Sequence, residues 1–213
     1  YEGLNFQGWA TSATGAKAYE DAASVSNLTT ENNGRFELYA VWGNAVSYTI
    51  TYENMSGISN PNPTTFTVTT ATFTLKNPER TGYTFDGWYT SATGGSKVTT
   101  STAVTNASNH SIYAHWIVNR YSVSLIKGNG ISSVSGSGTY DYNSLVNIDA
   151  TATPGYTFTG WTGDIGSNTK AYSFNLPARN ITLTANATGN PYSVVYNCNG
   201  GSGSAGATSH IYG

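Results

Sequence analysis

Charged residues and cysteines are scarce in this sequence of 213 residues. Asp, Glu, Lys and Arg make up 9% of the chain, against roughly 25% in a typical soluble domain, so hydroxyl and amide groups must provide its solubility. The formal net charge is −2 and no basic stripe is present, which excludes the electrostatic footprint of a nucleic-acid-binding protein. The single cysteine, Cys198, excludes an intrachain disulfide and a cysteine-rich zinc site. We expect Cys198 to be a buried, small apolar side chain.

Long apolar runs are also missing. No stretch approaches the roughly 20 residues that a membrane helix needs, so we predict no membrane insertion in this segment. Hydrophobic residues still make up 38% of the chain and aromatic residues 13%, which is enough apolar material for packed cores. The sequence starts at Tyr1 without a signal peptide, so we expect further sequence upstream.

An aromatic motif, Gly-x-x-Phe-x-Gly-Trp, recurs three times. The three copies occupy residues 3–9, 82–88 and 155–161. An apolar strand is predicted to close each unit and an alternating strand to open the next. The closing strands are 38–42, 112–116 and 183–187, and the opening strands are 48–52, 121–125 and 192–196. This self-similarity predicts a tandem array of repeats of about 70 residues.

The predicted array contains two complete repeats and two partial ones, joined by very short linkers such as 43–45 and 189–191. The bounds of repeats 1 to 4 are 1–46, 47–117, 118–190 and 191–213. Because both ends fall inside repeats, we expect the chain to be a window cut from a longer array. The alternative is head-to-tail self-association, in which the partial repeats of neighbouring molecules complete each other by strand addition and build a filament.

Local patterns predict a mainly β fold. Apolar and polar residues alternate with period two in 48–52, 66–75 and 121–125, where Thr, Val, Ile, Tyr and Phe dominate. No long window has a helical period, and at most a single helical turn is expected around Thr100–Val104.

The motif predicts a distorted strand at each Phe and Trp. A regular strand would point two side chains three positions apart to opposite faces, so the intervening Gly is expected to mark a bulge or bend that brings both rings into one core. The alternative is that the rings are exposed platforms for sugars. The predicted structural core residues are Phe6, Trp9, Trp42, Tyr83, Phe85, Trp88, Trp116, Tyr156, Phe158 and Trp161.

The motifs resemble a known repeat family. Residues 80–89, Arg-Thr-Gly-Tyr-Thr-Phe-Asp-Gly-Trp-Tyr, and the closing Tyr-Ala-His-Trp of 113–116 resemble the Listeria–Bacteroides repeat, which includes the B-repeat of internalin B. Residues 118–190 resemble a divergent branch of that family, and they have Ala187 where the other closing strands have Trp. The resemblance implies small β-grasp-like domains used in tandem in bacterial surface and adhesin proteins. It brings no catalytic residues.

The chemical motifs in the sequence are weak. Residues 201–206 fit Gly-x-Gly-x-x-Gly but are followed by a predicted strand rather than a helix, so they predict a hairpin turn rather than a phosphate loop. No nucleophile motif accompanies the histidines His110, His115 and His210. Asp164 with Asn168 is a candidate calcium site, although calcium needs six to eight oxygen ligands.

The sequence therefore predicts no catalytic, cofactor-binding or metal-binding residues and no cofactor, and it predicts that the protein is not an enzyme. We expect a structural stalk or spacer in an extracellular protein of the bacterial cell surface. The alternative is an adhesive module that recognises a host or cell-wall glycan or receptor. The expected partners are the neighbouring repeats of the same chain, and exposed tryptophans would favour the adhesive alternative.

Overall fold

The computed structural model describes residues 3–98, 107–203 and 206–213, and strands account for all the regular secondary structure in them. The strands are β1 (Leu4–Ala10), β2 (Tyr39–Ala45), β3 (Tyr48–Glu53), β4 (Thr65–Phe66), β5 (Tyr83–Tyr89), β6 (His110–Val118), β7 (Arg120–Lys127), β8 (Ile131–Ser135), β9 (Gly138–Asp141), β10 (Leu145–Ala152), β11 (Tyr156–Gly163), β12 (Tyr172–Asn175), β13 (Ile181–Gly189), β14 (Pro191–Val194) and β15 (Thr208–Ile211). The predicted mainly β class is confirmed. The helical turn predicted around Thr100–Val104 lies outside the described residues.

The chain forms two compact units. Unit 1 comprises Tyr1–Glu79 and Phe85–Trp116, and unit 2 comprises Arg80–Thr84 and Ile117–Gly213. In the part of the chain that the structure describes, no helix is long and apolar enough to cross a membrane.

Unit 1 contains a two-stranded and a four-stranded sheet. The antiparallel hairpin β1–β2 forms the first, and the second has the order β4-β3-β6-β5 with β3 and β6 parallel. The core of the four-stranded part consists of Ile50, Phe66, Trp88, Val98, Ile112 and Ala114. The alternating residues of β3 and β6 place Ile50, Ile112 and Ala114 on the buried face, as a half-buried strand requires.

Unit 2 contains a larger core between two sheets. One sheet has the order β11-β13-β7-β9, with β13 parallel to β7, and the other has the order β12-β10-β8. Both sheets contribute to a single buried cluster. Its members are Val123, Ile131, Val146, Ile148, Ala150, Trp161, Phe174, Leu176, Ile181, Leu183 and Ala185. The hairpin β14–β15 forms a third, separate sheet of this unit.

The two four-stranded sheets share one topology. We count the four strands of each sheet in chain order. The first and the last are parallel and central, the second flanks the first, and the third flanks the last. This is the strand order of a β-grasp sheet. Counted along the chain, the hairpin β1–β2 corresponds to the third and fourth strands of such a sheet, and β14–β15 corresponds to the first and second.

The strand predicted over 66–75 is wrong beyond its first residue. Strand β4 ends at Phe66, and the chain then turns, with the Thr70 N–H donating to the Thr67 carbonyl at 3.0 Å. Further along, the side chain of Asn62 bonds to both the N–H and the carbonyl of Lys76, at 2.6 and 3.0 Å. A buried amide therefore satisfies backbone groups here that a neighbouring strand would otherwise pair.

The predicted linkers are shorter than the sequence indicated. Residues 43–45 belong to β2, where Ala45 pairs with Leu4. Strand β13 runs to Gly189, which pairs with Tyr156, and β14 begins at Pro191. Because backbone pairing continues to the end of each closing strand, Asn190 alone separates β13 from β14.

Candidate functional site

The second motif glycine lies in a β-bulge. The pairing register shifts between Phe6 and Gly8 in β1, and between Phe158 and Gly160 in β11. Gly8 and Gly160 have φ values of +133° and +149°, a region that side chains other than glycine rarely adopt. The extra residue changes the alternation of the strand, so Phe and Trp meet on one side. The predicted bulge is confirmed for these two copies.

Each motif phenylalanine contacts its tryptophan. The ring centroids are 5.2 Å apart for Phe6 and Trp9, 5.3 Å for Phe85 and Trp88, and 5.9 Å for Phe158 and Trp161, all in edge-to-face geometry. Such pairs stabilise a core beyond their buried area. All three copies therefore use the motif in the same way.

The second tryptophan of a repeat lies on the other side of the motif phenylalanine. Trp42 is 5.4 Å from Phe6, and Trp116 is 5.2 Å from Phe85. In repeat 3 the residue that pairs with Phe158 is Ala187. Phe158 and Ala187 both pack against the larger core of that repeat.

Burial decides whether the tryptophans could be binding platforms. Trp88 and Trp161 are 3% and 2% exposed, and their indole N–H groups donate to backbone carbonyls of Lys76 and Lys170, at 3.3 and 3.1 Å. The other three tryptophans are half-buried. None of the five tryptophans is exposed.

Tyr83 and Tyr156, which the sequence grouped with the core, lie elsewhere. Both are half-buried and make edge contacts with Tyr142 and Tyr212, at centroid distances of 5.9 and 5.3 Å. Sequence reasoning did not single out Tyr142 or Tyr212. Their spacing from the opening tyrosines of repeats 3 and 4 was the available signal.

A polar cluster surrounds the second motif glycine, Gly87, in repeat 2. The Tyr89 hydroxyl donates to the Asp86 carboxylate at 2.8 Å, and the Lys97 ammonium donates to the Asp86 carbonyl at 2.6 Å. The hydrogen bond to Asp86 raises the pKa of Tyr89. The His115 ring stacks on Tyr89 at 4.0 Å. A cavity of about 380 Å³ adjoins the cluster and is lined by Asp86, Lys97 and core side chains.

This cluster fits a structural role. Lys97 links the segment after β5 to Asp86 of β5. His115 of β6 stacks on Tyr89 of β5, and its Nε2 bonds to the carbonyl of Ser91 at 2.9 Å. An acid–base pair would need a titrating group aimed at a reacting atom. Here the groups are engaged with one another and with the backbone.

Asp164 is paired within the chain. Its carboxylate accepts the Thr182 N–H at 2.7 Å and the guanidinium of Arg179, and these two contacts, the backbone bond first, lower its pKa. The Asn168 amide lies against Gly160. Among the described residues no group of three or more His, Cys, Asp or Glu side chains could hold a metal. The pairing with Arg179 disfavours the calcium interpretation, because a bound cation would have to displace the guanidinium.

The hairpin β14–β15 has the most exposed apolar side chains of unit 2. Val195 is 77% exposed and Ile211 is 68% exposed, and Tyr192, Tyr196 and Tyr212 are about half exposed. The expectation that Cys198 is buried is wrong. It is exposed in the loop of this hairpin, and its thiol donates to the Gly203 carbonyl at 2.7 Å.

Two family models match the chain. The Listeria-Bacteroides repeat domain matches residues 1–41 and 48–115, which together exceed half of the sequence, and the divergent InlB B-repeat domain matches residues 121–191. The ranges follow the three copies of the aromatic motif.

The curated relatives are much longer proteins. The chain is 33% identical over 141 residues to a protein described as a Gly-rich membrane protein of Evansella cellulosilytica, covering 59% of this chain and 16% of that protein. It is 35% identical over 117 residues to internalin H of Listeria monocytogenes, covering 53% of this chain and 20% of internalin H. The chain thus spans a fifth or less of the length of these relatives. No solved structure matches it.

Proposed function

This chain belongs to the Listeria-Bacteroides repeat family, whose repeats are typical of bacterial surface proteins such as internalins, and we propose that it is a non-catalytic stalk or spacer in such a protein. In this role the segment faces the extracellular medium and holds other parts of the protein at a distance from the cell. Its low charge suits that setting, since neutral hydroxyl and amide groups are not screened by salt.

One observation carries the proposal: the repeated aromatic residues are used for packing. In each copy the motif phenylalanine and tryptophan contact each other, and Trp88 and Trp161 are almost completely buried. A sugar-binding repeat would instead present the recurring rings to solvent, as an exposed apolar patch.

Changing the repeat number tests the stalk proposal. A globule of 70 residues has a radius of gyration of about 11 Å, so each repeat adds roughly 30 Å of reach. Duplicating residues 47–190 in the full-length surface protein is expected to lengthen it by about 60 Å, measured by single-molecule imaging of the purified protein. Unchanged length would contradict the proposal.

An adhesive module is the second candidate, favoured by the exposed tyrosines and aliphatic residues of the hairpin β14–β15. Its ligand would be a host or cell-wall glycan or receptor. The test is binding of the 213-residue chain to a glycan array and to bacterial cell walls. A spacer is expected to show no binding at micromolar concentration. Binding that is lost in Tyr196→Ser would replace the spacer proposal with the adhesive one.

A further inference from the structure

The first motif glycine of every copy contacts a residue of the repeat that follows. Gly3 contacts Val68 in unit 1, and Gly155 contacts Tyr212 in unit 2. In the same way Gly82, which belongs to unit 2, contacts Tyr142 of that unit. The contacting residue lies 20 or 21 positions after the opening tyrosine of its repeat, as in the step from Tyr192 to Tyr212.

The glycines provide space that no other residue would leave. A Cβ atom at Gly155 would lie 2.7 Å from the Tyr212 ring, and one at Gly82 would lie 2.1 Å from the Tyr142 ring. Both glycines also have positive φ, +90° and +78°. The motif glycine therefore has two roles. It forms the turn, and it leaves space for the side chain of the next repeat that packs against it.

A single asparagine fixes the connection between β13 and β14. The Asn190 N–H donates to the Gly155 carbonyl at 2.7 Å, and the Asn190 carbonyl accepts the Tyr212 N–H at 3.0 Å. Its side-chain oxygen accepts the Thr157 hydroxyl at 2.6 Å. The backbone of the connecting residue is thus bonded to both neighbouring repeats and its side chain to repeat 3, which removes the freedom of a flexible linker.

The same bonds recur at Asn119. Its N–H donates to Gly82 at 2.9 Å, its carbonyl accepts the Tyr142 N–H at 2.8 Å, and its side chain accepts the Thr84 hydroxyl at 2.6 Å. Because the same hydrogen bonds occur in two copies, they are a recurring feature of the repeat. The third copy has fewer of these contacts. The Val46 N–H donates to the Gly3 carbonyl at 2.8 Å, and Val68 packs against Gly3.

We propose that the motif glycine and its following tyrosine form an intramolecular docking site for the next repeat in the chain. The site comprises Gly155, Tyr156 and Thr157 on one side, and Asn190 and Tyr212 on the other. Neighbouring repeats stabilise each other through it and lose structure together. This coupling goes beyond the stalk proposal and applies equally to an adhesive array.

Hydrogen exchange of the 213-residue chain, resolved by segment, tests the coupling. The variant Tyr212→Ala is compared with Tyr196→Ala, a tyrosine of the same hairpin with similar exposure. An aromatic edge contact is worth about a 2- to 10-fold change in an opening equilibrium. Tyr212→Ala is therefore expected to raise exchange by that factor in β11 and β13 of repeat 3, while Tyr196→Ala leaves these strands unchanged. Tyr212→Phe, which keeps the ring, should restore protection.

The reverse direction keeps the proposal falsifiable if Tyr212→Ala unfolds its own hairpin. Thr157→Val removes the bond to Asn190 from the repeat 3 side, and Thr159→Val is the matched exposed control on the same strand. Since coupling is reciprocal, Thr157→Val alone should raise exchange in β14 and β15. Two results would overturn the proposal. One is that Tyr212→Ala leaves the exchange rates of repeat 3 unchanged, and the other is that both threonine variants change the exchange rates of the hairpin equally.

Discussion

Replacing Trp88 with alanine measures how much of repeat 2 depends on one motif ring. Trp88 is 3% exposed, its ring contacts Tyr52 and Phe85 at 5.1 and 5.3 Å, and its indole donates to the Lys76 carbonyl. A buried aromatic of this size removes about 150–250 Å² from water, worth about 4–6 kcal/mol at 25 cal/mol per Å². Measured truncations of buried Phe or Trp cost about 3–5 kcal/mol.

That loss is comparable to the whole stability of the repeat. A domain of about 70 residues has a free energy of unfolding of about 4–10 kcal/mol. We therefore expect Trp88→Ala to remove between about a third and all of the free energy of unfolding of repeat 2 at 25 °C. The assay is urea denaturation of the full chain, followed by near-UV circular dichroism, together with segment-resolved hydrogen exchange over β3, β5 and β6.

The matched control is Ile117→Thr. Ile117 belongs to β6 of the same repeat, is 57% exposed, and keeps a β-branched side chain in the variant. An exposed substitution of this kind usually changes stability by less than about 0.5 kcal/mol. If Trp88→Ala lowers the free energy of unfolding by less than about 1 kcal/mol, well below the range for buried aromatics, the motif tryptophan does not hold the core.

Three further perturbations have defined outcomes. Gly136→Ala should destabilise repeat 3 by more than about 2 kcal/mol in thermal unfolding, because φ is +102° and the new Cβ would lie 2.2 Å from the Asn147 carbonyl oxygen; Gly203→Ala, with open space around it, should be close to neutral. Because the pKa of Asp164 is lowered in the folded protein, its contribution to stability is present above the unfolded pKa and is lost as pH falls through the folded pKa. Asp164→Asn should therefore weaken the pH dependence of the free energy of unfolding in acid. Burial raises the pKa of Tyr52 to about 12, so the free energy of unfolding should fall as pH rises from the ordinary tyrosine value of 10 towards 12. If Tyr52→Phe loses stability with the same slope over this pH range, the reasoning is contradicted.

The local features of this fold could be read from the sequence. Alternation in 48–52 and 121–125 became β3 and β7, and the glycine between Phe158 and Trp161 became a bulge. These succeed because side-chain period and glycine φ are properties of a few adjacent residues. Three copies of the same motif also compensate for the weakness of each single pattern.

Other outcomes depended on what lies next to a residue in space. The alternating run 66–75 has the composition of a strand, but the chain turns at Thr67–Thr70, and Asn62 bonds to the backbone of Lys76 just after the run. Cys198 has the apolar character of a buried residue, yet it is exposed in the loop of a separate two-stranded sheet. The residue period and composition of a segment do not show which other segment of the chain pairs with it or packs on it.

The sequence by itself determined the repeat, its mainly β character and the pairing of motif rings, since all of these follow from spacing within one repeat. Only the tertiary structure decided that Tyr156 turns from the core to Tyr212, and that Asn190 is bonded on both sides. Those contacts join residues that are 56 and 35 positions apart, Tyr156 to Tyr212 and Gly155 to Asn190. They exist because the antiparallel pairing of β11 with β13, in which Tyr156 pairs with Gly189, brings the start of the next repeat back to the motif glycine, a proximity that no local pattern encodes.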